Sequence, residues 1–247
     1  MKYCLDTHVH TMASGHAYST LLEYVKRAKE IELDLIAITD HAPKMPGSSN
    51  IFQIANQTII PRVIEGVKVL RGVEANIIDF DGKIDVEEKY LKRLDLVIAS
   101  FHDVCLVPST VEKNTNAFLG AIENPYVDVI GHLGNPKIPV DYETIVKACV
   151  KHNKIIEINN SSFKSESRKG SDANCNVIAH LCEIYGAKII AGSDSHIIFT
   201  LGEFDEAIKV IENANIKEDN IMNSSVEKFI NYLNKKGKPV SMEDFNE

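Results

Sequence analysis

Seven short runs rich in β-branched residues, each closed by a side chain that can bind a metal or a proton, constrain this chain more than any other feature. They are YCLDTH (3–8), DLIAITDH (34–41), VKVLRGVEAN (67–76), LDLVIASFH (94–102), VDVIGH (127–132), KIIEINNS (154–161) and AKIIAGSDSH (187–196). Longer amphipathic stretches separate them, and that rhythm implies parallel strands, which need a long crossover between neighbours. The closing residues are His8 and His10, Asp40 and His41, Glu74, His102, His132, Asn159 and Asn160, and Asp194 and His196. In parallel α/β folds the carboxyl ends of the strands share one face, where sites are built. These side chains are therefore expected to meet.

The 247 residues, 44% apolar and 25% charged, suit one globular domain over 1–247. Single α/β barrels commonly run to about 250 residues. The clearest helix signal is STLLEYVKRAKEI, where Thr20 and Glu23 have capping-box spacing and Leu21, Leu22, Val25 and Ala28 make an apolar face. Further helices are expected over 141–152, 171–185, 202–213 and 226–233. The Pro-, Gly- and Ser-rich stretch 42–50 reads as a loop on the side of the site.

A net charge of −8 supplies no general field for phosphate backbones or anionic lipid, so neither nucleic acid nor membrane is expected as a partner. Lys235, Lys236 and Lys238 read as a solvated helix end. The five cysteines are odd in number and scattered, without a CxxC pair, and read as reduced thiols, with Cys4 a small core residue. No run reaches the ~18 apolar residues of a membrane span, and no basic-then-apolar leader opens the chain, so a cytoplasmic address is expected.

Imidazoles with carboxylates form the ligand set of zinc, and of manganese or iron as the carboxylate share grows. His8 and His10, two apart in a strand, can face one ion together. With His16 from the loop DTHVHTMASGHAYST, the direct candidates are His8, His10, His16, His41, Glu74, His102, His132, Asp194 and His196. Catalytic zinc takes about three protein ligands and an open position, so this inventory suggests three divalent ions, with a carboxylate bridging two. Asp6 and Asp40 are expected to orient neighbouring imidazoles. His152 and His180, inside helical patterns, read as structural.

The ordered set of stretches DTHVHTMASGHAYST, AITDH, RGVEANI, FH, GHLGNPK, EINNSSF, SRKGSDANC and GSDSH with FTLGEF resembles the PHP (polymerase and histidinol phosphatase) family, most closely its YcdX-like phosphatase branch. The resemblance implies a distorted TIM-like (βα)7 barrel with a trinuclear metal site at the C-terminal ends of the parallel strands. It assigns one ion to His8, His10, Glu74 and Asp194, a second to the shared Glu74 with His102 and His132, and a third to His16, His41 and His196. It implies three divalent ions, zinc first and manganese or iron as alternatives. The implied reaction is hydrolysis of a small phosphomonoester by a metal-activated hydroxide. The branch includes homo-oligomers, so the resemblance is compatible with a homo-oligomer. Arg168, in a loop before the 171–185 helix, can clamp the phosphate with its planar fork, and Lys169 beside it offers a second cation. An amidohydrolase-type C–N hydrolase, a nuclease of the same fold and a non-catalytic metal-binding scaffold are the rival readings. The first would leave His16, His41 and His196 without a task.

Overall fold

The computed structural model describes residues 1–246. Seven parallel strands follow one another around the sheet: β1 (Leu5–Val9), β2 (Leu35–Ile38), β4 (Val67–Asn76), β5 (Leu96–Ser100), β6 (Val129–Ile130), β7 (Ile155–Asn159) and β8 (Lys188–Gly192). A two-residue strand β3 (Val63–Ile64) folds back antiparallel on β4. Its turn is Glu65–Gly66, both at positive φ, the geometry of a two-residue hairpin. Among the described residues, eight α-helices complete the fold: α1 (Leu21–Glu30), α2 (Ile51–Ala55), α3 (Glu88–Leu91), α4 (Val111–Glu123), α5 (Tyr142–Lys151), α6 (Ser171–Tyr185), α7 (Asp205–Asn213) and α8 (Val226–Lys235). The molecule is a nearly closed, distorted TIM-like barrel, and among the described residues no helix is long and apolar enough to cross a membrane.

The strands read as continuous apolar runs because both of their faces are covered. Alternate residues point inward, where Leu5, Leu35, Leu70, Leu96, Val129 and Ile190 pack against Phe229, Ile230 and Leu233 of α8. The intervening ones, such as Ile36, Val69, Val97 and Ile156, join the layer beneath the surrounding helices. At the seam, the end of β1 meets the segment that follows β8 through a parallel bridge between Val9 and Ser195. Below it Asn223 fills the gap, donating to the carbonyls of Leu5 (3.1 Å) and Ala191 (2.9 Å) and accepting from Ala191 N–H (2.7 Å).

The Thr20–Glu23 capping box forms, but Leu22 lies on the solvent side and Tyr24 takes the buried position. Helices α2, α3 and α4 and the β3 hairpin are additions to the sequence reading. Lys236 and Lys238 are not solvated: their Nζ atoms sit 2.8 and 2.6 Å from the buried carboxylate of Asp128, at the foot of β6. A buried carboxylate is costly unless it is paired, which accounts for the two lysines being drawn inward. All five cysteines are free, and Cys4 is buried.

Candidate metal centre

Period-two alternation carries the apolar inward face of each strand into the site. Leu70 and Glu74 share a face of β4, and Ile155, Glu157 and Asn159 share one of β7. Glu74 lies at the hub. His132 Nε2 is 2.8 Å from its Oε1 and His41 Nδ1 is 2.6 Å from its Oε2, while His8 and His102 each bring Nε2 to 3.3 Å. Asp194 forms a second hub, with His10 Nε2 at 3.2 Å and His8 Nε2 and His196 Nδ1 each at 3.6 Å. His16 comes from the loop above, its ring 5.0 Å from that of His41 and 4.9 Å from that of His196. All nine candidate ligands thus lie together at one rim.

The grouping is finer than the three sets the resemblance implies. Ligand atoms of His8, His10 and Asp194 lie within 4.8 Å of one another, as do those of His41, Glu74 and His102, and those of His10, His41 and His196. His41 and His10 therefore stand between positions that the sequence reading separates. His152, at the end of α5, and the exposed His180 lie elsewhere.

The donor atoms fit divalent ions on evidence internal to the protein. Nε2 of His8, His10 and His102, Nδ1 of His41 and Oε2 of Glu74 are all buried without a hydrogen-bond partner. His41 Nδ1 and Glu74 Oε2 approach closely yet are misaligned for a hydrogen bond. Buried polar atoms are rarely left unsatisfied, and each costs on the order of 1–3 kcal/mol. Five such atoms gathered within the clustered imidazoles and carboxylates suit the binding of divalent cations.

The far side of four of the rings is pinned. Ser14 Oγ gives its one proton to Asp40 Oδ1 (2.7 Å), so its contact with His10 Nδ1 (3.1 Å) must be donated by the imidazole. His8 Nδ1 donates to Glu157 Oε1 (2.6 Å), His102 Nδ1 to Asn76 Oδ1 (2.7 Å) and His196 Nδ1 to the carbonyl of Asp194 (3.0 Å). In all four rings Nε2 is left free for a ligand. Asp40 thus acts on His10 through Ser14, and Asp6 touches no imidazole: it accepts the backbone N–H groups of His8, Ser193 and Gly202. The Asp40 oxygens are taken up by Thr11, Ser14 and Gln53, and those of Asp6 by backbone N–H groups. Glu157, Ser14 and Asn76 were not singled out in the sequence; for Glu157 the signal was a lone acid inside the apolar run KIIEIN.

Charge is unevenly shared within this cluster. Burial and the neighbouring His41 and His196 hold His10 well below the usual imidazole range, and burial with the Arg168 cation holds His132 down to about 4. Burial also opposes charge on His8, but the Glu157, Glu74 and Asp194 carboxylates override it and raise His8 well above that range. The backbone carries strain here as well, since His132 (φ 26°) and Asp194 (φ 54°) sit in the left-handed region.

Arg168 lies at the rim: its Nη1 donates to Asp194 Oδ2 (2.8 Å) and Asn159 Oδ1 (3.1 Å). Its guanidinium lines a cavity of about 180 Å³ with His16, His41, Asn135 and His196. Lys169 instead points to solvent beside Glu166. The 42–50 loop lies against the turn that carries Ser14, with Ser49 N–H donating to the carbonyl of Ala13, and Met45 reaches the cavity.

Residues 6–237 match the model of the PHP domain. A probable phosphatase of Thermoanaerobacter sp. (strain X514) is 51% identical over 99% of this chain and 100% of its own length. One of Acetivibrio thermocellus is 48% identical over 96% of this chain and 97% of its own. Among solved structures, the histidinol phosphate phosphatase of Lactococcus lactis, complexed with zinc, L-histidinol and phosphate, superposes with a TM-score of 0.60. It shares 19% identity and covers 87% of this chain and 95% of its own. A protein of Listeria monocytogenes described as a putative histidinol phosphatase gives 0.57 at 15% identity, over 81% of this chain and 98% of its own. The match over nearly the whole chain, with relatives half identical to it, makes this protein a member of the PHP domain family.

Proposed function

We propose that this protein hydrolyses a small phosphomonoester at a site of three divalent ions held by His8, His10, His16, His41, Glu74, His102, His132, Asp194 and His196, with residues 1–247 acting as one catalytic domain. The coarser statement, that it is a metal-dependent phosphatase, follows from its family and from the naming of relatives half identical to it as probable phosphatases. The observation that carries the finer reading is the convergence of four buried, unpartnered imidazole nitrogens around Glu74, whose own Oε2 is also unpartnered, beside a cavity that Arg168 lines.

Ions bound there would supply Lewis acidity and a water acidified from pKa 15.7 toward about 7. The chain's own part is placement. Arg168, held by Asp194 and Asn159 through Nη1, keeps its remaining N–H groups for a phosphoryl oxygen. The hydrogen bonds on the far side of the rings hold Nε2 of His8, His10, His102 and His196 toward the cluster. The small cavity favours a compact ester. Zinc is the first choice of metal for this imidazole-rich set, supported by the zinc complex of the Lactococcus relative, and manganese or iron are the alternatives.

The test is elemental analysis of the purified chain with phosphatase assays before and after chelation. Close to three ions per chain, with activity lost on chelation and restored by zinc, is the expected result. Turnover of cyclic amides in place of phosphomonoesters by the same sample, or a chain that stays empty after reconstitution, would overturn it.

A further inference from the structure

We propose that Glu157 is a positioning residue that couples two of the metal positions, holding His8 for one ion and His132 for another through the two oxygens of a single buried carboxylate. The inference rests on the metal-site reading above and goes beyond it, because Glu157 is not among the ligands and faces none of the orphaned donor atoms except through His8.

The geometry is specific. Oε1 takes the Nδ1 proton of His8 at 2.6 Å, and Oε2 accepts the backbone N–H of His132 at 2.9 Å and Asn159 Nδ2 at 3.1 Å. The first contact fixes the His8 tautomer with Nε2 free. The second holds His132 at φ 26°, a conformation that an L-residue keeps only when its surroundings impose it. The third leads on to Asp194 and Arg168, both of which Asn159 contacts. His8 belongs to β1 and His132 follows β6, so one side chain from β7 sets ligands on both of its sides.

The barrel makes room for this carboxylate. Gly192 of β8 pairs with Asn159, and a Cβ placed at Gly192 would collide with Glu157 Oε1 and come within 3.1 Å of His8 Cβ. A glycine opposite the Glu157–His8 contact marks space reserved for it. The carboxylate is also the only side-chain group of its size that fits the duty. It offers two acceptor oxygens, whereas glutamine offers one oxygen and an amide group that cannot accept, so Glu157→Gln must abandon His8 or His132.

The experiment compares wild type, Glu157→Gln and Glu157→Asp. Each is dialysed against graded chelator, metals per chain are counted, and kcat and KM for a small phosphomonoester are measured on zinc-reloaded samples. Losing an orienting partner typically weakens metal affinity about 10- to 100-fold. Glu157→Gln is therefore expected to release metal at a correspondingly lower chelator concentration and to lose kcat with little change in KM, and Glu157→Asp to recover part of both. Equal chelator midpoints for wild type and Glu157→Gln overturn the role of Glu157 alone. A wild-type chain that takes up no metal instead overturns the metal-site reading beneath it. Should Glu157→Gln fail to fold, the metal-loaded wild type labelled with 15N-histidine decides: a His8 ring protonated at Nδ1 is expected, and one protonated at Nε2 refutes the proposal.

Discussion

Arg168 Nη1 donates to Asp194 Oδ2 across 2.8 Å, so a cation lining the cavity and a carboxylate among the candidate ligands are one unit. The pair holds the Asp194 carboxyl well below its usual range: burial alone would raise it, and Arg168 with His8 overrides that. Arg168→Lys keeps a positive charge for Asp194 but loses the planar fork. Hydrogen bonds to charged groups are worth about 1.5–3 kcal/mol. We expect kcat/KM for a phosphomonoester to fall roughly 10- to 100-fold, with metal content retained. Unchanged kinetics would remove Arg168 from substrate binding.

Much of this architecture is legible in the sequence because parallel strands buried on both faces leave a strong record. Runs such as DLIAITDH and LDLVIASFH have no solvent side to blur them, and polar residues at their ends can only be rim residues. What stays hidden depends on contacts far apart in the chain. Glu157 looks like an odd acid in a strand until His8, 149 residues away, is placed against it. Lys236 and Lys238 look like solvent-facing charge until Asp128, more than a hundred residues earlier, is found beneath them. Asp40 was expected to touch an imidazole, but Ser14 intervenes, and a serine in a turn carries no such signal in sequence. Leu22 matches the apolar period of α1 yet is exposed, because the barrel covers the adjacent stripe through Tyr24, Val25 and Ala28.

Glu74 is approached by five imidazoles, and its carboxyl is held well below the usual range: burial opposes this, and His102, His8 and His41 overcome it. Glu74→Gln keeps the volume and removes the charge that two ions would share. We expect metal content to fall by at least one ion per chain and phosphatase activity to be lost. The same variant should lose the thermal stabilisation that metal gives the wild type, about 2.7 kcal/mol per site at a hundredfold excess over Kd. A Glu74→Gln chain with wild-type metal content and turnover would place the bridging role elsewhere.

Ser14 Oγ is spent on three partners: it donates to Asp40 Oδ1 and accepts from His10 Nδ1 and from the His41 backbone N–H (3.1 Å). Ser14→Ala leaves two buried donors without an acceptor, each costing on the order of 1–3 kcal/mol. Urea denaturation should show a loss of roughly 2–5 kcal/mol, far above that of an exposed Ser→Ala change. His10 would also be free to turn, so metal affinity should fall alongside. A loss below about 0.5 kcal/mol would mean that water replaces the hydroxyl in full.

Lys154 gives the foot of the barrel a pH signature distinct from that of the metal site. Its Nζ donates to the carbonyls of Asn124 (2.7 Å) and Val127 (2.6 Å). Burial, and then the neighbouring Lys236, push it down to about 7, against the pull of Asp128. Between pH 7 and its unfolded value near 10.5, the unfolded chain holds a proton at Lys154 that the folded chain has released. Stability rises with pH wherever the unfolded state binds more protons, at most about 1.4 kcal/mol per pH unit for one group. Below pH 7 both states carry the charge and the slope vanishes. Lys154→Met removes this contribution while Lys236 and Lys238 continue to neutralise Asp128. Denaturation of wild type and Lys154→Met at pH 7.5 and 9.5 should therefore show wild type gaining more stability over that interval, because titrations common to both chains cancel. An equal change in the two would mean that Lys154 keeps its proton in the folded protein, with Asp128 holding three ammonium groups at once.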